Sequence, residues 1–214
     1  GGGAAASECG GLPRGWRGGG ATVGQGLACV GGRPRTERDR GRDRVLIGLR
    51  RIFRRKPGAR IITVAGTNGK GSAVAAVEAL LRAAGRRTGA YTSPHLQSYN
   101  ERVRLDGTDI PDEELVKAFE VVEAARGKVS LTYFEFGTLA AFVAFANAGV
   151  DHWILEVGLG ARLDAVNVLD ADFAILTSVD IDHVAFLGDN REVIGFEKAG
   201  VLRPGIPAVY ADND

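Results

Sequence analysis

The alternation of apolar and polar positions changes character near residue 45. Beyond it, segments of two different periods take turns. "VLIGLRRIF" places apolar residues at helical spacing with basic residues between them, and Pro57-Gly58 ends it. "RIITVAG" is a continuous β-branched run, of the kind found in a central parallel strand covered on both faces. "SAVAAVEALLRAAG" predicts a helix closed by Gly85, and "RTGAYTS" a second strand. "PHLQSYNERVRLDG" is polar and holds the pattern of a short hairpin. "PDEELVKAFEVVEAARG" predicts a helix with proline near its start, acids in its first turn and Gly127 at its end. "LTYFEFGTLAAFVAFANAG" reads as a buried helix with Thr132 and Glu135 at capping-box spacing. "DHWILEVG" and "DFAILTSVD" predict strands, "NREVIGFEKAGVL" a helix and "IPAVYA" a last strand. The regular alternation predicts a doubly wound, mostly parallel α/β sheet. Ligands in such sheets sit at the carboxyl ends of the strands. The residues that follow strands are therefore the candidates for chemistry.

The first strand runs into Gly66-Thr67-Asn68-Gly69-Lys70-Gly71-Ser72, and a helix follows. Glycines let backbone N–H groups approach phosphate oxygens, and the helix N-terminus favours negative charge. Lys70 supplies a full positive charge for the β- and γ-phosphates. The usual phosphate loop has four residues between its glycines and Lys-Ser/Thr at its end. Here only Thr67 and Asn68 separate Gly66 from Gly69, and Gly71 precedes Ser72. The alternative is a tight strand–helix turn with a solvated lysine; the strand–turn–helix context favours phosphate binding.

Three further strand ends carry candidates. Ser93 follows the second strand, Glu156 ends "HWILE" and His183 follows "ILTSVDID". A carboxylate and a hydroxyl facing a triphosphate suit Mg²⁺, which takes oxygen ligands and keeps waters. Imidazole more often serves softer metals, so spacing alone leaves His183 an ordinary loop histidine. Lys198, on a predicted helix, reads by itself as a solvated lysine. His95 and His152 read as a loop and a strand residue.

Composition changes the picture mainly at the start of the chain. Residues 1–60 carry 14 basic against 4 acidic side chains, and the remainder 13 against 22, behind a net charge of +1. The basic head invites a nucleic-acid reading. Yet residues 1–38 are crowded with Gly and Arg and lack apolar periodicity, so they bury too little surface to offset ordering entropy. They read as a disordered or misannotated head before one domain over 39–214, with no nucleic-acid partner. The chain has no methionine, so its first residue is not a natural start. Cys9 and Cys29 both lie in the head, which gives no disulfide framework or zinc site. No apolar run reaches the roughly 18 residues of a membrane span, and no signal-peptide core is present. The reading is cytoplasmic.

The loop "GTNGKGS" resembles that of the Mur ligase superfamily, and specifically of the dihydrofolate synthase/folylpolyglutamate synthase family in its bacterial bifunctional form. "SPHLQSYNERVRLDG", "LTYFEFGTLAAF", "ILEVGLGARLDAVN" and "DHVAFLGDNREVIGFEKAG" are similar to that family's segments in its order and spacing, from about Asp39 to Asp214. The resemblance implies a Mur ligase central domain, with a C-terminal Rossmann-like domain absent from this chain. It implies an ATP-dependent ligase, a monomer, that adds L-glutamate to dihydropteroate and to folates through an acyl phosphate. It implies two magnesium ions held by Ser93, Glu156, His183 and a carbamylated Lys198, with Lys70, His183 and Lys198 serving catalysis. It places the pterin against Thr132, Tyr133, Phe134 and Glu135, and against Leu163, Asp164 and Ala165. A further pterin stretch falls at Arg38-Asp39-Arg40-Gly41, where only Asp39 and Gly41 agree with the family. Phe196 stands where the family usually has Arg, and Ala161 and Val166 where it commonly has Gly and Thr. The alternatives are another phosphate-loop NTPase such as a nucleotide kinase, or a fragment that binds nucleotide without turnover.

Overall fold

The computed structural model describes residues 37–181 and 190–211. Its centre is a seven-stranded sheet in the order β4-β3-β2-β5-β1-β6-β7. The strands are β1 (Arg60–Ala65), β2 (Thr88–Tyr91), β3 (Val103–Leu105), β4 (Thr108–Asp109), β5 (His152–Glu156), β6 (Phe173–Leu176) and β7 (Ala208–Tyr210). β1 pairs in parallel with both β5 and β6, β5 with β2, and β6 with β7. The hairpin expected in the polar segment is β3–β4, which adds to β2 in antiparallel fashion. The sheet is thus parallel and mixed only at one edge, as the alternation predicts.

Five helices are described: α1 (Glu37–Ile52), α2 (Lys70–Ala83), α3 (Asp112–Arg126), α4 (Tyr133–Ala148) and α5 (Arg191–Ala199). α4 is apolar on all sides, with a run from Gly137 to Phe145 entirely buried. A helix of that composition needs neighbours all round; it lies against the sheet and is covered by α1 and α3. Its start is fixed by the predicted capping box: Thr132 Oγ1 accepts from Glu135 N at 3.3 Å, and Glu135 Oε2 accepts from Thr132 N at 3.0 Å. α2 packs on the opposite face, where Val74, Val77 and Leu81 meet Ile62, Val64 and Ile154.

One expectation changes. α1 begins at Glu37, well before the apolar stretch and inside the segment 1–38 read as a head; residues 1–36 lie outside the described residues. Alternating acids and bases at helical spacing can support a polar turn, and Arg44 anchors it by pairing with Glu135 on α4. The cover on both faces expected of β1 is observed, since all its residues after Arg60 are buried; on β6, Phe173 and Ile175 are only partly buried. β7 is exposed throughout.

Register decides where the candidates meet. Val64 pairs with Glu156 on one side and Ile175 on the other, while Tyr91 pairs with Leu155. The segments that leave β1, β2, β5 and β6 therefore emerge on one rim. The β2–α4 packing that supports this rim has no slack. A Cβ at Gly89 would lie 2.5 Å from Phe145 Cδ1. We expect Gly89→Ala to destabilise the chain by about 1–3 kcal/mol, measured as a lower urea midpoint at unchanged slope; an unchanged midpoint would contradict this packing.

Candidate functional site

The glycine loop is built by its neighbours as much as by its own residues. Gly66 has φ +145°, and a Cβ there would fall 1.9 Å from Thr177 Oγ1, so only glycine lets β1 end against β6. Gly69 sits at φ 78° and ψ 3°, left-handed, immediately before α2. The segment after β6 then clamps the loop. Thr67 N donates to Ser178 O at 2.7 Å and Asn68 N to Ser178 Oγ at 3.1 Å. Thr177 Oγ1 donates to Asn68 O at 2.7 Å. Thr67 Oγ1 donates to Asp180 O at 3.1 Å and accepts from Asp180 N at 2.9 Å. Lys70 Nζ donates to Thr67 O at 3.1 Å, folded back along the loop. Asn68, Gly69, Gly71 and Ser72 are exposed. The first amides of α2 have no intrahelical acceptor, so a rigid, solvent-facing cradle of donors surrounds one lysine.

Beside it is a polar cavity of about 390 Å³ lined by Gly71, Ser93, Glu101, Arg104 and Glu156 among others. Ser93 N donates to Glu156 Oε2 at 3.1 Å. Glu156 is buried, and that burial pushes its carboxyl above the usual range; the Ser93 amide, Lys70 and Arg104 pull it back only in part. Glu101 folds the segment after Ser93 by accepting from Leu96, Gln97 and Ser98 N, at 2.7, 2.8 and 2.7 Å. A serine hydroxyl and an under-compensated carboxylate next to a phosphate cradle form the oxygen-donor set that a hard divalent cation takes. Among the described residues no three His, Cys, Asp or Glu side chains cluster for a metal. The residues present fit an ion that completes its shell with phosphate and water.

A second cavity, of about 630 Å³, opens on the other side of Ser93 and Pro94. Lys70 lies on its wall, together with Thr132 to Glu135 and with Leu163, Asp164 and Ala165. Asp164 shapes the loop after β5 by accepting from Leu159 N and Val166 N, each at 3.0 Å. Glu135 accepts a two-pronged bond from Arg44, with Nε at 3.0 Å and Nη2 at 2.8 Å. That carboxylate both caps α4 and neutralises Arg44, so the capping and binding-site readings of Glu135 coexist.

The structure thus brings Lys70, Ser93, the 132–135 stretch and the 163–165 stretch to one cavity, and Glu156 to its neighbour. His183 lies outside the described residues. Lys198 is not a solvated side chain, as read in isolation: it is 3 % exposed on α5. It lines neither cavity. Its helix is tied to the cavity wall, since Arg162 N donates to Glu197 O at 2.9 Å and Asn167 Nδ2 to Gly200 O at 2.9 Å. Gly41, in the doubtful pterin stretch, does line the larger cavity. Sequence reasoning passed over Arg44 and Arg102, which line it too. Arg102 sits inside the quoted "NERVRLDG", but nothing in a polar run distinguishes a buried arginine from a solvated one.

Comparison with known proteins gives the family. The Mur ligase middle domain matches residues 64–203. The dihydrofolate synthase/folylpolyglutamate synthase of Escherichia coli K12 is 49 % identical over 176 residues, covering 82 % of this chain and 42 % of that protein. The structure of E. coli FolC in complex with DHPP and ADP superposes with a TM-score of 0.77 at 49 % identity, over 79 % of this chain and 41 % of that one. A bifunctional folylpolyglutamate synthase/dihydrofolate synthase with Mn, AMPPNP and L-glutamate bound gives 0.76 at 52 % identity, over 81 % and 43 %. The chain spans about two fifths of the length of the curated relatives it matches. With the family model matched over residues 64–203 and the sequence and fold likeness in accord, the chain belongs to the Mur ligase family and carries its middle domain.

Proposed function

We propose that this chain is the ATP-binding part of a ligase that joins L-glutamate to dihydropteroate, and to folates, through an acyl phosphate. The carrying observation is that the cradle lysine, Lys70, lies on the wall of the same cavity as the 132–135 and 163–165 stretches. A pterin-bearing acid seated there presents its carboxylate to the γ-phosphate of a nucleotide in the cradle. A carboxylate oxygen attacks the γ-phosphorus and ADP leaves. The glutamate amine then attacks the acyl carbon, phosphate leaves, and the amine gives up a proton.

The protein's share of this is placement and charge compensation. Gly66, Thr67 and Asn68 shape the loop through their contacts with 177–180, the exposed Gly69, Gly71 and Ser72 present backbone and hydroxyl donors, and Lys70 swings from Thr67 O to the phosphates. Tyr133 and Phe134 offer aromatic surface, and Asp164 fixes the loop that faces it. Ser93 and Glu156, with His183 and a carbamylated Lys198 by resemblance, would hold two Mg²⁺, which when bound offset the charge developing on the transferred phosphoryl group. Among the described residues no helix is long and apolar enough to cross a membrane. We read the protein as a cytoplasmic monomer acting on small molecules, with no nucleic-acid partner.

The test is incubation of the gene product with ATP, Mg²⁺, dihydropteroate and radiolabelled glutamate, with products separated by chromatography. Labelled dihydrofolate is expected from the complete ligase and none from the 214-residue chain alone; ATP consumption by the complete protein without it would leave the nucleotide-kinase alternative. Lys70→Ala should weaken ATP binding about tenfold or more, the scale of a lost charge-assisted contact, while the melting curve stays cooperative. Equal calorimetric affinity would remove Lys70 from the site.

Glu156 gives an independent check. Its carboxyl is raised in the folded chain, so the folded state holds that proton more tightly than the unfolded state. Stability from this group is therefore full below the ordinary carboxylate pKa and falls as pH rises through the raised one. Without metal, Glu156→Gln should raise the melting temperature at pH 7 by about 2–4 °C. Mg²⁺ should raise it for the native chain but not for the variant. Thermal melts from pH 4 to 8, with and without MgCl₂, read both effects, and equal responses to Mg²⁺ would remove Glu156 from the metal site.

A further inference from the structure

Arg102 has no task in the reaction as described, yet it occupies a costly position. It ends the short 3₁₀ turn Tyr99–Arg102 and is 8 % exposed. Other arginines near the site are held by carboxylates: Arg44 by Glu135, Arg104 by Glu78 and Arg162 by Glu197, each at 2.7–2.8 Å. Among the described residues no carboxylate bonds to Arg102. Its Nε donates instead to Nδ1 of His95, a neutral acceptor, at 2.7 Å. Its guanidinium carbon lies 5.5 Å from the ring centroid of Tyr99 and 5.5 Å from that of Tyr133. Those two rings stand at 90° with centroids 5.7 Å apart.

This environment keeps a cation charged without neutralising it. Ring faces attract a guanidinium through their quadrupole but leave its edge donors unused. A guanidinium carries five N–H groups, and Nε accounts for one. The side chain lies on the wall of the 630 Å³ cavity that Lys70 also lines. The mount is rigid. Tyr99 makes an edge contact with Phe119 at 5.6 Å, and burial pushes its hydroxyl pKa up to about 12. Thr92 N donates to Arg102 O at 3.0 Å, one residue before Ser93. A planar fork fixed in this way matches a carboxylate through two parallel hydrogen bonds.

We propose that Arg102, held between Tyr99, Tyr133 and His95, is the carboxylate-receiving group of the larger cavity and orients the acceptor acid before its activation. The inference rests on the proposed function and adds to it the point at which the acid is gripped. A buried arginine can also be a mere strut for the 93–102 loop, and the two roles differ in what they do to ligands. A strut affects every ligand of the cavity alike, whereas a carboxylate clamp discriminates.

The experiment compares dihydropteroate with its analogue bearing hydrogen in place of the carboxyl group. Both are titrated by fluorescence against the 214-residue chain as it stands, as Arg102→Gln and as Arg102→Lys. Arg102→Gln should weaken dihydropteroate about tenfold or more, and the analogue less than about twofold. Arg102→Lys keeps the charge but loses the fork; it should weaken dihydropteroate by a smaller factor and again spare the analogue. It also carries the test if the Gln variant melts without cooperativity. Equal losses for the two ligands, or no loss for either, would overturn the clamp while leaving the proposed function standing. A native chain that binds ATP but neither pterin ligand would overturn both.

Discussion

The parallel pairing of β1 with β5 and β6 is the constraint on which the rest of the molecule depends. It sets Val64 level with Glu156 and Ile175, so a cradle, a carboxylate and the clamping segment 177–180 share one rim. The pairing can be that close because β1 ends in a residue without a side chain, against Thr177. Burial of the strand on both faces after Arg60 makes a register slip expensive, since a shift by one residue would force each side chain into space packed for its neighbour. The precision of the phosphate cradle is therefore inherited from the sheet, not generated by the loop.

Electrostatics divides the rim into two compartments with opposite needs. On the side of Glu156, a buried carboxylate is under-compensated, and the cavity favours added positive charge. On the side of Tyr133, Arg44 is already neutralised by Glu135, but Lys70 and Arg102 remain facing the cavity, which favours added negative charge. Ser93 and Pro94 belong to both walls. Under the proposed function, a phosphate-bearing nucleotide, a divalent cation and an acid together would satisfy both compartments. Any one of them alone leaves a charge unbalanced.

Most of the fold was legible in the sequence because its signals were local. The capping box at Thr132 and Glu135, the helix stop at Gly127 and the β-branched run of β1 each act within a few residues. Their structural counterparts stand where the pattern placed them. The glycine loop was legible for the same reason. What escaped depends on contacts far apart in the chain. The polar start of α1 is held by Glu135, 91 residues from Arg44. The burial of Lys198 comes from packing that composition does not reveal. The grip on Arg102 combines an aromatic from the loop after β2 with one from the start of α4. Half-exposed β6 also reads from sequence like its buried neighbours, because an apolar strand looks the same whether or not a helix covers its second face.

Glu135 answers to three masters at once. It caps α4, it pairs with Arg44, and its Oε1 would lie 2.7 Å from any Cβ at Gly41. Each demand fixes a different dimension of the side chain: its reach back to Thr132, its charge and its bulk on the α1 side. Aspartate would free space beside Gly41 but is too short to cap α4, and glutamine has the reach but lacks the charge that pairs with Arg44. The physical consequence is a coupled trio, Gly41, Arg44 and Glu135. A side chain added at 41 meets the Glu135 carboxylate and disturbs its bond to Arg44, so the three positions are coupled through one carboxylate.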